Sequence, residues 1–280
     1  MNGGLWQRLR AHRAGMTSLI VLALIVIGAI VVPMISPYDY YTPYWTQIDQ
    51  PPSLTSGHLL GTDDLGRDLL VRIMWGCRIS LLVGILASLV SLAIGVVWGT
   101  LAGYLGGWTD SIMMRVVDVL YSLPFIPFVI VLTVLFGRDL VLIFVAIGAV
   151  SWLDIARIVR GQTLSLKTRE FIQAARVAGL GTSAIVRRHL IPNLLGIVMI
   201  YLTLTIPTVI LFEAFLSFLG LGAQAPLTSL GVLIADGASQ MQSFPVLLIA
   251  PAFLLALIVY CLNFLGDALR DVLDPRRGGS

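Results

Sequence analysis

The sequence predicts an all-α protein threaded through a membrane by six transmembrane helices, and three observations carry that prediction. Only 12% of the 280 residues are charged, where a soluble chain is usually about a quarter charged. Apolar residues make up 58% of the chain and mean hydropathy is +0.93. Apolar runs of about 20 residues, the length that crosses a hydrocarbon core as a helix, recur along it.

The six runs fall at 16–35, 79–103, 112–136, 139–158, 194–219 and 246–267. The first, Met16 to Met34, follows the basic segment WQRLRAHRAG. It lacks an A-x-A cleavage site and is long for a signal peptide, so it reads as a retained transmembrane helix behind a cytoplasmic segment 1–15. Arginine and lysine collect on the cytoplasmic flanks of membrane helices. An N-terminus inside places Arg8, Arg10, Arg13, Arg115, Arg157, Arg160, Lys167, Arg169, Arg176, Arg187, Arg188, Arg270, Arg276 and Arg277 there. Arg67, Arg72, Arg78 and Arg138 stay outside, and fourteen against four predicts N-in, C-in.

Residues 36–78 are then an extracytoplasmic loop. Tyr38, Tyr40, Tyr41, Tyr44 and Trp45 suit a membrane–water boundary. In HLLGTDDLGRDLLVRIMWGCR, Thr62 is a candidate N-cap, and Asp63 and Asp64 suit the positive end of a helix dipole. Asp63–Arg67 and Asp68–Arg72 stand four apart, as ion pairs on a helix surface do. The spacing predicts a short surface helix leading into the second span. A calcium loop would need a closing Glu that is missing.

Charges inside spans are costly and point to function or pairing. Asp118 stands three residues from Arg115, Asp154 three from Arg157, and Asp267 three from Arg270, so local ion pairs are expected. Glu213, in TVILFEAFLSFLGLG, has no basic residue within a turn. It either hydrogen-bonds a neighbouring helix or faces the translocation path or an outer gate. Gly84, Gly95, Gly99, Pro124, Pro127, Pro207 and Pro251 fit helices that pack closely or bend. Cys77 and Cys261 are far apart, form no CxxC or Cys/His motif, and read as packed thiols. No metal site is expected.

Residues 163–193 interrupt the apolar pattern between the fourth and fifth spans. Helical character from Thr168 runs to Gly179, a natural stop. Phe171, Ala174, Ala175 and Ala178 fall on one side, and Arg169, Gln173 and Arg176 on another. Thr182 or Ser183 can cap a second short helix reaching His189, which Pro192 would end. An apolar side and a defined hinge predict docking against another surface.

The spacing here resembles the signature of ABC importer inner-membrane subunits: EAA, three residues, Gly, nine residues, then I-x-L-P. This chain has Gln173, Ala174, Ala175, three residues, Gly179, nine residues and HLIP, so Gln173 stands for Glu, His189 for Ile and Ile191 for Leu. HLLGTDDLGRDLLVR, GYLGGWTDSIMMRVVD, SWLDIARIVRGQTLSLKTREF, FLSFLGLGAQAPLTSLGVLIADG and NFLGDALRDVLDP extend the likeness. These blocks are similar to the peptide and nickel importer permeases, most of all to oligopeptide permease C subunits.

That resemblance implies a type I ABC importer permease fold over 79–270 and a cytoplasmic tail 271–280. It implies a homologous second permease, two cytoplasmic ATPases and an extracytoplasmic peptide-binding protein as partners. Glu170, Gln173, Ala174, Ala175, Arg176, Gly179, His189 and Pro192 would couple to an ATPase, Ala174, Ala175 and Gly179 by allowing close approach. The only lysine, Lys167, follows Leu166 and sits in no P-loop, so ATP and Mg are expected on the partners and no cofactor here. Oligopeptide import by alternating access is the expected function. Dipeptides, nickel and glutathione-like peptides are alternatives within the family, and an ion-gradient carrier is the alternative outside it. No nucleic-acid partner and no enzymatic activity are expected, since GxSxG and HExxH are missing.

Overall fold

The computed structural model describes residue 10, residues 12–137 and residues 140–273. Arg8, Arg138, Arg276 and Arg277, and the rest of the predicted tail beyond Leu273, lie outside the described residues. Those residues form helices joined by loops, with a single β-bridge between Thr62 and Asp68. The helices are α1 (Arg13–Ile35), α2 (Leu69–Leu105), α3 (Gly107–Ser122), α4 (Phe125–Phe136), α5 (Leu140–Leu166) and α6 (Glu170–Val177). After them come α7 (Thr182–Ile185), a π-turn (Val186–Leu190), α8 (Ile191–Phe218), α9 (Leu230–Ser239) and α10 (Val246–Leu273). Among the described residues four helices are long and apolar enough to cross a membrane, five if α3 and α4 count as one bent span.

α2 is the spine. Its 37 residues make a rod of about 55 Å, against which α1, α5, α8 and α9 pack. Small residues let the rods touch. A methyl group placed on Gly95 would lie 2.7 Å from Ile155 Cβ, and one on Gly103 would lie 2.8 Å from the Arg160 carbonyl. Between them Gly99 faces the Ala156 carbonyl and the Arg160 amide of α5. The i, i+4, i+8 row of glycines is the close-approach motif of membrane helix pairs. Gly84 does the same service against Ile210 of α8.

Proline bends are compensated locally. Pro33 in α1 cannot donate to the Ala29 carbonyl four residues back. Arg78 of α2 fills the gap: its Nε donates to that carbonyl, and its Nη2 donates to the Ile30 carbonyl at 2.7 Å. The guanidinium also lies 4.8 Å from the Trp75 ring centre. Where a continuous span was expected over 112–136, the chain turns by 86° between α3 and α4. Pro124 forces Leu123 into an extended conformation, with ψ 128°, because the ring clashes with a helical residue before it.

The surface helix expected from Thr62 is a turn, and α2 begins only at Leu69. Asp63 explains the change. Its Oδ1 accepts from the amides of Leu65 (3.0 Å) and Arg67 (2.8 Å), and its Oδ2 accepts from Arg67 Nε at 2.8 Å and from Arg72 Nη1. Such local side-chain bonds offer the backbone an alternative to a helix. Asp68, expected to pair with Arg72, is instead the N-cap of α2, accepting from Val71 N at 2.9 Å, and it meets His58 Nδ1 at 2.9 Å. Thr62 caps nothing. Its hydroxyl bonds the Gln47 carbonyl at 2.5 Å and accepts from Gln50 N at 2.8 Å, clipping the loop shut. Among the tyrosines, Tyr40 stacks on Trp75 with ring centres 4.1 Å apart.

Cys77 and Cys261 are free, buried thiols in the core shared by α1, α2, α8, α9 and α10.

Candidate functional site

The segment between α5 and α8 is a docked hairpin rather than a solvated loop. Tyr104 at the end of α2 joins Ile172, Ala175, Ile185, Val186 and Leu190 in one buried cluster, with Leu166, Leu180 and Ile191 around it. The inward face of α6 is therefore Ile172 and Ala175, three apart. Ala175, expected to line the docking face with Ala174, is turned into the chain's own core, while Phe171, Ala174 and Ala178 remain exposed. The periodicity admitted either stripe. Ile172, left out of the expected face, takes the interior with Ala175, while the bulkier Phe171 stays outside.

Gly179 ends α6 with φ +80°. Its amide donates to the Arg176 carbonyl at 2.9 Å, and Leu180 N donates to the Ala175 carbonyl at 3.1 Å. This crossed pair is a Schellman motif, with Leu180 packed beneath as its apolar contact. A Cβ on Gly179 would meet nothing within 4 Å, so the described residues leave that side open.

Neither Thr182 nor Ser183 caps α7; Gly181 occupies the N-cap without a side-chain bond. Nor does Pro192 end a helix, because α7 runs through the π-turn straight into α8. In the π-turn the Ile191 amide reaches the Val186 carbonyl, five residues back. That wider register tolerates a proline without a donor immediately afterwards, at the first turn of α8, where helices accept it. The displaced His189 carbonyl accepts from Asn193 Nδ2 at 2.6 Å. His189 itself is half-buried and Pro192 exposed.

Basic side chains tie the hairpin to the long helices. Lys167 Nζ donates to the Gly103 carbonyl at 2.9 Å, neutralising the negative end of α2. Arg176 Nε donates to Tyr104 Oη at 3.3 Å, with the guanidinium 4.9 Å from that ring's centre. Gln173 Nε2 donates to the Lys167 carbonyl at 3.2 Å, a bond to the hairpin's own backbone. Arg160 grips Asp110 of α3 through two bonds of 2.6 Å. The local pairs expected in the spans are not the ones formed: Asp118 binds Arg157 of α5 at 2.9 Å, 39 residues away, in place of Arg115. Asp154 thereby loses Arg157, and Asp267 forms no ion pair with Arg270 among the described residues.

The free surface of the hairpin carries Glu170, Gln173, Ala174, Val177, Ala178 and Gly179. Val177, an aliphatic side chain 90% exposed, was missed from the sequence. Its signal was its place four residues after Gln173 on the solvent side of α6. A surface of small residues around one bare valine, on a lever continuous with α8 and pinned to α2, suits transmission of an applied displacement.

Glu213 lies elsewhere, fully buried in α8. Its Oε2 accepts from Ser80 of α2 at 2.9 Å and its Oε1 from Ser217 at 2.7 Å. Ser80 accepts from Leu230 N at 3.2 Å, and Ser229, the N-cap of α9, donates to Ser217 at 3.3 Å. One carboxyl group thus joins α2, α8 and α9. Replacing Glu213 by Leu removes the acceptor for two buried hydroxyls. Serines can turn back to a carbonyl of their own helix, so the expected loss is about 1–2 kcal/mol, read as a lowered thermal midpoint in detergent. Glu213→Gln keeps the shape and is expected to leave that midpoint nearly unchanged. A loss of transport in Glu213→Gln without loss of stability would assign the group to the path instead.

Among the described residues no group of three His, Cys, Asp or Glu side chains could hold a metal ion.

Residues 95–279 match the family described as the binding-protein-dependent transport system inner membrane component. Residues 4–52 match the N-terminal TM domain of oligopeptide transport permease C. The chain is 54% identical over 276 residues to the oligopeptide transport system permease protein OppC of Escherichia coli K12, covering 97% of this chain and 91% of that one. It is 51% identical to OppC of Haemophilus influenzae, with 97% and 89% covered. The dipeptide transport system permease protein DppC of Bacillus subtilis is 44% identical, with 97% and 84% covered. In three dimensions the fold resembles an inward-facing MetNI methionine ABC transporter chain, with a TM-score of 0.59 at 24% identity, over 73% of this chain and 96% of that one. With residues 95–279, well over half of its length, matching that family model, the chain belongs to the family of binding-protein-dependent transport system inner-membrane components.

Proposed function

We propose that this chain is the membrane-spanning subunit of an ATP-driven importer that carries oligopeptides into the cell by alternating access. The observation that carries the reading is the hairpin at 170–192: a docked lever with an open, small-residue surface, running without a break into α8. Fifty-four per cent identity to an oligopeptide permease over 97% of the chain supports the substrate class.

In this reading six spans cross the bacterial inner membrane with both termini in the cytoplasm, α3 and α4 together forming the third. The hairpin then lies in the cytoplasm and the 36–68 loop outside. Two ATPases bind and hydrolyse ATP with Mg, one of them against Glu170, Gln173, Ala174, Val177 and Gly179. Their two nucleotide states bias inward- and outward-facing arrangements through differential docking. Ala175, Arg176, His189 and Pro192 act behind that surface, Arg176 through Tyr104 and Pro192 through the π-turn. A second permease completes the path, and an extracytoplasmic binding protein delivers the peptide.

Reconstitution tests it. Proteoliposomes holding this chain, its second permease, the ATPases and the binding protein are expected to take up labelled oligopeptides only with ATP, while this chain alone takes up none. Uptake by this chain alone under an ion gradient would overturn the proposal. The dipeptide relative makes dipeptides the second candidate cargo, and competition between the two peptide lengths ranks them.

A further inference from the structure

The groove formed by α8, α9 and α10 has a volume of about 500 Å³, within the range of small-ligand clefts. Its walls are mostly aliphatic, including Leu211, Ile234 and Val259, with Phe264 against Tyr260 at 4.4 Å between ring centres. Two polar side chains interrupt them. Tyr260 lies near the middle of the 28-residue α10 and is 58% exposed. Asn263, one turn on, donates from Nδ2 to the Val259 carbonyl at 2.9 Å. Among the described residues nothing bonds to the Tyr260 hydroxyl or to Asn263 Oδ1.

Lipid tails cannot satisfy these groups, and polar groups within spans face a bundle interior or water. By helix rise Tyr260 lies about 10 Å and Asn263 about 6 Å inside the inner edge of the span expected over 246–267. α9 links the groove to the end bearing the 36–68 loop: Ile234 lines the groove, while Val232, Ala235 and Asp236 line a polar cavity there with Arg67 and Arg72.

We propose that this groove is the chain's wall of the aqueous substrate path, with Tyr260 and Asn263 hydrogen-bonding the backbone of a peptide in transit. The inference rests on the transport reading above. Every peptide presents amide donors and carbonyl acceptors whatever its side chains. A phenol, which gives and accepts, and an amide oxygen, which accepts, meet that common element, while the aliphatic wall accommodates varied side chains.

The test uses the complete reconstituted importer. Tyr260→Phe removes a hydroxyl that has no partner among the described residues, and Asn263→Leu keeps the volume. Each is expected to lower peptide uptake about three- to tenfold, the effect of one lost hydrogen bond, with assembly and binding-protein-stimulated ATP hydrolysis unchanged. Asn263→Cys is expected to react with a charged, water-soluble methanethiosulfonate, and peptide is expected to slow the reaction. The unsubstituted chain, with Cys77 and Cys261 buried, sets the background. Wild-type uptake by both Tyr260→Phe and Asn263→Leu would overturn the proposal. So would an Asn263→Cys that reacts only with an uncharged, lipid-soluble maleimide, or that crosslinks to the second permease while the charged reagent never reaches it. If the unsubstituted importer moves no peptide, the transport reading fails by itself, and charged labelling still decides whether the groove is wet.

Discussion

Gly99→Ala is expected to destabilise the isolated subunit by about 2–3 kcal/mol, whereas Gly161→Ala is expected to stabilise it by about 0.5–1 kcal/mol. The two substitutions are chemically the same, and both fall inside a long helix. At Gly99 the new methyl group would press on the Ala156 carbonyl and lie 2.9 Å from the Arg160 amide, both backbone atoms of α5. Backbone in a helix cannot move aside as a side-chain tip can. Relief requires α2 and α5 to separate along the row Gly95, Gly99 and Gly103, which also strains the grip of Arg160 on Asp110 and of Lys167 on Gly103. At Gly161 the methyl group meets nothing within 4 Å, and only the intrinsic helix preference for alanine remains. Thermal midpoints of the two variants in the same detergent check the sign of each change. Gly99→Val is expected to prevent assembly with the second permease altogether. A Gly99→Ala midpoint equal to that of Gly161→Ala would show that the α2–α5 contact is looser than the structure has it.

That contact shows what the sequence made legible. Gly95 and Gly99 stood out as small residues in an apolar run, but Gly103 was overlooked because it lies at the very end of the expected span. Composition and run length exposed the helices themselves. Turn chemistry hid the start of α2: charges four apart around Asp63 read as a helix surface, and only the competing bonds from Asp63 to Leu65 and Arg67 reveal a turn. Pro192 misled for a related reason. A proline stops an α-helix, yet it is harmless directly after a π-turn, and no spacing rule announces a π-turn. The pairs Arg157–Asp118 and Arg160–Asp110 were out of reach for a different cause. Their partners are 39 and 50 residues apart, and local spacing suggests only neighbours on the same helix. In the candidate site, the position of Gly179 and its role as a stop were legible from spacing, while the choice of Ile172 over Phe171 for the interior was decided by packing.

Gly179 separates two explanations for the hairpin's importance, because its conformation and its openness can be perturbed independently. Valine at φ +80° is strained by roughly 1–2 kcal/mol, so Gly179→Val is expected to loosen the Schellman turn and lower both stability and transport. Asparagine adopts the left-handed conformation with little strain, and beyond its chain neighbours no described residue stands within 4 Å of the new Cβ. Gly179→Asn is therefore expected to leave the isolated subunit as stable as before. If an ATPase covers this surface, however, the added amide occupies space that the small residues around it keep free. Co-purification of the ATPases and ATP-driven peptide uptake should then fall about tenfold or more, an interface loss of at least about 1.4 kcal/mol. Gly179→Asp is expected to block transport more completely by adding a charge to that buried contact, with the protein still inserted in the membrane. Full uptake and ATPase recovery in Gly179→Asn, together with loss in Gly179→Val, would assign Gly179 a purely conformational role and move the docking surface to another side of the hairpin. Loss in both variants, with only valine destabilising the isolated chain, places a partner directly over Gly179.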